Sequence, residues 1–185
     1  MNRPDNLPHR RSIRLQDYDY SQAGAYFVTI CTQGRVCLFG DIKNGAMALN
    51  EYGCVVRDEW LKIAGIRTEI QSGEFVVMPN HFHGVVIIVE PATQSGAMTT
   101  VGAIHEPLPL RQQRRQMALS KIIGRFKMLT AKRINEIRQL PGIPVWQRNY
   151  YEHVIRNEDD YRQIAEYVAD NPHRWAEDTL YPDAG

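Results

Sequence analysis

Within the apolar run FVVMPNHFHGVVIIV (75–89), histidines stand at 81 and 83. Residues two apart on a strand point to the same side, so both imidazoles project together while Phe82 fills an alternate apolar position. Ring nitrogens in such surroundings need polar partners. A shared divalent cation satisfies both at once, and a strand holds the pair in fixed geometry. The plainer alternative is two histidines hydrogen-bonded to backbone or to each other. A metal site needs a further ligand, and two familiar sources are missing. The H-E-x-x-H pattern of helical zinc sites is absent, and position 85, where a histidine triad would continue, is valine.

The segment NEDDYRQIAEYVADN (157–171) supplies candidates. Asn157 is a good N-cap, and Glu158, Asp159 and Asp160 suit the positive end of a helix. At about 100° per residue, Tyr161, Ile164, Ala165 and Val168 form the apolar stripe, so Tyr161 reads as core. Tyr167 lies off that stripe and stacks with Asn171 four residues on. One helix face therefore offers a phenol and a carboxamide to the histidine pair. The carboxamide oxygen completes a ligand set suited to Mg²⁺ or Mn²⁺. The plain alternative for Tyr167 is an ordinary half-buried tyrosine.

The elements that must position these groups follow from periodicity. AYFVTICTQ (25–33) reads as a strand, RVCLFGDI (35–42) as its hairpin partner turned at Gln33-Gly34, and MALN as a further short pairing. Residues 51–65 have helical spacing and stop at Gly65. Two strands follow, Glu69–Met78 and His81–Val89, joined by or continuous through Pro79-Asn80. Residues 90–116 read as loop, 118–138 as an amphipathic helix with a basic back, and 145–155 as extended. The expected fold is α+β, an antiparallel sheet with helices packed on one face. Its expected organisation is a basic arm (1–24), one domain (25–175, with 90–116 a variable loop) and a tail (176–185).

The chain has 185 residues, 43% hydrophobic and 23% charged, as a globular domain should. No stretch approaches about 18 uninterrupted apolar residues, so no membrane partner is expected. The polar beginning lacks a secretory core, and three cysteines without C-x-x-C spacing suit a reducing cytoplasm. Net charge is only +1, but it is unevenly distributed. Between Pro107 and Asn135 there is no acid, against Arg111, Arg114, Arg115, Lys121, Arg125, Lys127, Lys132 and Arg133. Such asymmetry fits a basic face for a polyanion, or else a solvated helix face.

MPNHFHGVV together with WQRNYYEHVIRNEDDYRQIAEYVADNP resembles the HUH single-tyrosine transposases, most closely the REP-associated tyrosine transposases. The resemblance runs from about Arg10 to Trp175 and implies a ferredoxin-like sheet with helices on one face. It implies metal binding by His81 and His83, with Asn171 as third ligand where some relatives use glutamine. It also implies Tyr167 as nucleophile, Mg²⁺ or Mn²⁺ as cofactor, and single-stranded DNA beside a hairpin as partner. The activity implied is nicking and strand transfer through a 5′-phosphotyrosine. Arg10, Arg11 and Arg14 on the arm, Lys121, Arg125 and Lys132 on the basic helix, and Trp146, Arg148 and Tyr150 are the expected DNA contacts. Both monomers and homodimers occur in the family. The competing expectation is a DNA-hairpin-binding protein, domesticated by its host, that is weakly active or inactive. Hydrolysis of a phosphoester by water is disfavoured, because nothing else in the chain supplies a ligand-rich cluster.

Overall fold

The computed structural model describes residues 23–65, 68–89 and 108–182, with side chains of the last stretch described from Leu119. The arm, including Arg10, Arg11 and Arg14, lies outside the described residues, as do 90–107.

Four strands form the main sheet: β1 (Gly24–Cys31), β4 (Ile70–Val77), β5 (His81–Ile88) and β6 (Tyr151–Ile155), in the order β4-β5-β1-β6 with all neighbours antiparallel. Helix α1 (Glu51–Leu61) connects β1 to β4, and α2 (Leu108–Ile137) connects β5 to β6. This is the ferredoxin-like arrangement, to which α3 (Glu158–Asp170) is added.

Alternation along β1 divides the molecule into layers. Tyr26, Val28 and Ile30 face a core with Trp60 of α1 and Ile123, Phe126 and Ile134 of α2. Phe27 faces the other way, with Val85, Ile155 and Val168 of α3. Helices α1 and α2 thus share one face as expected, while α3 crosses the opposite one. Trp60 and Phe82 pack with ring centroids 4.5 Å apart. Gly84 makes room for that contact, since a Cβ there would come 2.5 Å from the Trp60 ring.

The expected partner of β1 does not form. Gly34 and Arg35, with φ of 67° and 56°, make a tight 3-10 turn that diverts the chain. Residues 36–39 are not strand, and β2 (Gly40–Lys43) pairs instead with β3 (Ala46–Leu49) as a separate hairpin. Asn44-Gly45 turns it, both with positive φ (53° and 75°), as a two-residue hairpin loop requires. Asn50 caps α1, its side chain accepting from the Tyr52 and Gly53 amides. Helix α1 stops at Leu61, and a 3-10 turn covers Ile63–Gly65. Helix α2 begins at Leu108, inside the stretch expected to be loop.

Candidate functional site

The turn between β4 and β5 delivers the histidines. The Met78 amide donates to the His81 carbonyl at 2.9 Å, closing a hairpin through Pro79-Asn80. Asn80 is buried and fully engaged. Its amide nitrogen donates to the Arg35 carbonyl at 3.2 Å and the Leu180 carbonyl at 2.7 Å, tying together three segments around the strand end. Its Oδ1, which can only accept, takes the Nδ1–H of His81 at 2.8 Å. That fixes the tautomer and leaves His81 Nε2 with its lone pair bare.

His81 and His83 are 0% and 2% exposed, with ring centroids 4.5 Å apart. They face the α3 side of the sheet, as the alternation requires. Thr29 stands opposite His83 on β1, its hydroxyl 2.8 Å from Nδ1. Burial holds the His81 pKa down at about 4, against the opposing pull of Asp178 and Asn171. Burial, then His81 itself, puts His83 well below the ordinary histidine value. Both rings are therefore neutral at neutral pH, the form that binds a cation.

Helix α3 brings Tyr167 and Asn171 to the same place. The Asn157 side chain caps its start by accepting from the Asp160 amide at 2.8 Å, and Val168 anchors it on the sheet. The Tyr167 hydroxyl lies 3.3 Å from His83 Nε2, and its ring stands edge-on to Phe27. Tyr167 remains 45% exposed and lines an open cleft together with His83. Asn171 is buried at the end of the helix. Burial and then Asp178 push the Tyr167 phenol above its ordinary pKa, and Asn171 and Arg174 oppose them. Tyr161 packs half-buried on the second core and donates its hydroxyl to Glu74; burial and then that carboxylate push its pKa up to about 12.

Asp178 was not found by sequence reasoning. It lies in the segment set apart as a tail, yet its Oδ2 is 3.8 Å from His81 Nε2 and its side chain is only 6% exposed. One ligand atom each from His81, His83 and Asp178 fall within 4.8 Å of one another. Buried Trp175, its ring 5.8 Å from that of His81, anchors this return of the chain. A tryptophan shortly before an acid was the available signal. Thr29 was legible as well, since alternation from Phe27 puts it on the histidine face.

Two buried polar atoms here, His81 Nε2 and Asn171 Oδ1, have no hydrogen-bond partner. Such atoms are costly unless something completes them. Two neutral imidazoles, a carboxamide oxygen and a carboxylate make a mixed N/O donor set, which fits a divalent cation. A cation beside Asp178 would also offset the charge that raises the Tyr167 pKa.

The expected DNA contacts divide. Trp146 is 6% exposed, donates from Nε1 to Thr130 Oγ1 at 2.8 Å and packs against Phe39 and Phe126. It is a core residue and offers no stacking face, which corrects the expectation from its aromatic neighbourhood. Lys121, Arg125 and Lys132 are exposed on α2, with the sheet between them and the histidines. Arg148 is exposed, and Tyr150 lines the cleft that also holds His83 and Tyr167. Among the described residues no helix is long and apolar enough to cross a membrane.

No family model matches the sequence. An uncharacterized protein of Haemophilus influenzae is 42% identical over 185 residues, covering 96% of both chains. Among solved structures, a REP-associated tyrosine transposase bound to a REP hairpin is similar with a TM-score of 0.48 and 20% identity, over 83% of this chain and 69% of that one. A candidate transposase of Deinococcus radiodurans is similar with a TM-score of 0.44 and 16% identity, over 86% of this chain and 97% of that one.

Proposed function

We propose the following activity for this chain, which belongs to the same family as the uncharacterized Haemophilus influenzae protein: cation-dependent nicking and strand transfer of single-stranded DNA, with Tyr167 as nucleophile. The observation that carries it is the convergence of His81 Nε2, Asn171 Oδ1 and the Asp178 carboxylate beside the hydroxyl of a tyrosine that lines an open cleft. The motif resemblance to the HUH single-tyrosine transposases points the same way. His81, His83 and Asn171 are the proposed ligands, joined by Asp178, and Mg²⁺ or Mn²⁺ is the proposed ion. When bound, it would act as a Lewis acid toward a phosphate oxygen and favour the ionised phenol.

In the reaction, Tyr167 Oη attacks phosphorus and loses its proton to solvent. The bond from phosphorus to the 3′ oxygen breaks, and that oxygen leaves as a hydroxyl after taking up a proton. The product is a 5′-phosphotyrosine, a conserved-energy ester that another 3′-hydroxyl can resolve. Phe27 and the His83 ring, stacked on each other, together meet the tyrosine ring edge-on. Thr29 and Asn80 orient the two imidazoles. Lys121, Arg125, Lys132 and Arg148 are proposed to follow phosphates of a hairpin-bearing substrate, with Tyr150 beside the strand.

The test mixes purified protein with labelled single-stranded hairpin oligonucleotides and Mn²⁺ or Mg²⁺ on a denaturing gel. A covalent adduct is expected, and it should vanish in Tyr167→Phe. An adduct that persists in Tyr167→Phe would overturn the assignment of the nucleophile. Binding without an adduct, across hairpins from the host genome's own repeats, would favour the inactive hairpin-binding protein.

A further inference from the structure

A cleft of about 340 Å³ opens directly from the His83–Tyr167 pair, and its floor is the extended segment after Trp146. Its volume is at the small end of the range of about 300–1,000 Å³ typical of sites that enclose small organic groups. Gln147, Asn149 and Tyr151 all line it. Tyr150 lines it too, so the bend at Arg148 turns this whole stretch toward the cleft.

The register fixes where that cleft lies. Tyr151 pairs with Thr29 across β1 and β6, and Thr29 pairs with His83 across β1 and β5. The three residues therefore sit in a row on one sheet face. Tyr151 is two strand spacings from His83, roughly 10 Å. Its ring is 50% exposed although it belongs to a strand beside a buried site.

The backbone under the cleft is pinned. Lys127 Nζ donates to the Gln147 carbonyl at 2.6 Å and the Arg148 carbonyl at 2.9 Å. The Gln147 amide donates to the Cys31 carbonyl at 2.9 Å, and Trp146 is bridged to Thr32. Two carboxamides are thus carried on a pinned segment that leads into β6, which carries the phenol ring. A carboxamide both donates and accepts, so it can match the edge of a base, and an exposed ring gives that base a stacking surface.

We infer that this cleft takes one unstacked nucleobase of a nucleotide flanking the scissile phosphate, stacked on Tyr151 and read by Gln147 and Asn149. The inference rests on the proposed single-stranded DNA reaction and adds to it a protein-borne choice of base at the cut. A nucleotide flanking the phosphate that Tyr167 is proposed to attack would reach this cleft, because Tyr167 itself lines it. Away from the His83 and Asp178 end, where the proposed cation would sit, a planar group with hydrogen-bonding edges suits two carboxamides and a ring better than a phosphate does, because no lysine or arginine lines this cleft among the described residues.

The test uses a pool of hairpin oligonucleotides with a randomised single-stranded flank, Mn²⁺, and sequencing of the released 3′ ends and the adduct-borne 5′ ends. The wild type is expected to prefer one base at one position flanking the cut. Gln147→Ala and Asn149→Ala should reduce that preference to within about twofold while still forming adduct. Tyr151→Ala should lower the adduct rate about 5- to 150-fold, the worth of one stacked base, and Tyr151→Phe should restore it. An abasic nucleotide at the preferred position should cost the wild type a similar factor and Tyr151→Ala almost nothing.

An unchanged preference in both carboxamide variants, with an abasic penalty as large in Tyr151→Ala as in the wild type, would overturn the inference and leave the nicking reading standing. If the wild type forms no adduct, the nicking reading fails, and the cleft is judged by binding. Oligonucleotides with single 2-aminopurines should then be quenched at one position by the wild type but not by Tyr151→Ala. Equal quenching by both proteins, or none by either, would dismiss the base site.

Discussion

Thr29 Oγ1 lies 2.8 Å from Nδ1 of His83, directly opposite it on the neighbouring strand. The far nitrogen of the same ring lies 3.3 Å from the Tyr167 hydroxyl. One strand residue thus sets the rotation of the ring that meets Tyr167, the proposed nucleophile, and would meet the proposed cation. Thr29→Val keeps the branched shape and removes only the hydroxyl. It should leave the fold intact and weaken Mn²⁺ binding about 10- to 100-fold, as loss of a ligand-orienting partner does. Calorimetric titration of Mn²⁺ checks this, and unchanged affinity would show that packing alone orients the ring.

Asp178 tests whether the segment after Trp175 belongs to the site. If its carboxylate shares the cation with the histidines, Asp178→Asn should weaken Mn²⁺ binding by at least about tenfold, as His81→Ala should. If the carboxylate is only a neighbour, the variant should bind as well as the wild type. Paramagnetic resonance of Mn²⁺ distinguishes these outcomes, with circular dichroism confirming that both variants fold.

Much of this site was legible in the chain because strand and helix periods are short and exact enough to extrapolate. A spacing of two put His81 and His83 on one face, and a spacing of four put Tyr167 over Asn171. Asp178 and Asn80 were not legible, since each reaches the site through a turn whose path depends on tertiary packing. The hairpin assigned to residues 25–42 failed for a related reason. Gln33-Gly34 looked like a turn between strands, whereas Gly34 and Arg35 both take positive φ and send the chain away from the sheet. Asn44-Gly45 carried the stronger hairpin signature nearby. Trp146 was misread because an aromatic in a basic stretch suggests stacking on nucleic acid, while its burial is set by Phe39 and Phe126 from elsewhere in the chain.

Glu59 joins the two helices of the other layer. Its Oε1 accepts from Arg133 at 2.6 Å and Lys62 at 2.8 Å. Burial alone would raise its pKa, but these two hydrogen bonds and charges outweigh burial and lower it from 4.5. A lowered folded pKa gives stability that is present above the unfolded value and lost as pH falls through the folded one. Glu59→Gln should therefore cost about 1 kcal/mol near neutral pH, a modest figure because both cations reach solvent. The difference from wild type should shrink below about pH 4.5. Denaturant melts across pH check the sign, and a gap that widens in acid would contradict it.

Lys121, Arg125 and Lys132 lie behind the sheet from Tyr167, so the proposed DNA grip would stand apart from the proposed chemistry. A substrate that meets both must pass round the sheet, with its single strand at the histidine face and its body along α2. Each phosphate neutralised contributes about 0.7 to 0.9 to the slope of log affinity against log salt. Replacing all three residues by glutamine should therefore flatten that slope by up to about 2 to 3 and weaken hairpin binding at low salt. The rate of adduct formation at saturating DNA should stay the same, because none of the three approaches Tyr167. A triple variant with an unaltered salt slope would place the hairpin elsewhere. One with a reduced saturated rate would mean that α2 acts on the bound strand and does more than hold it.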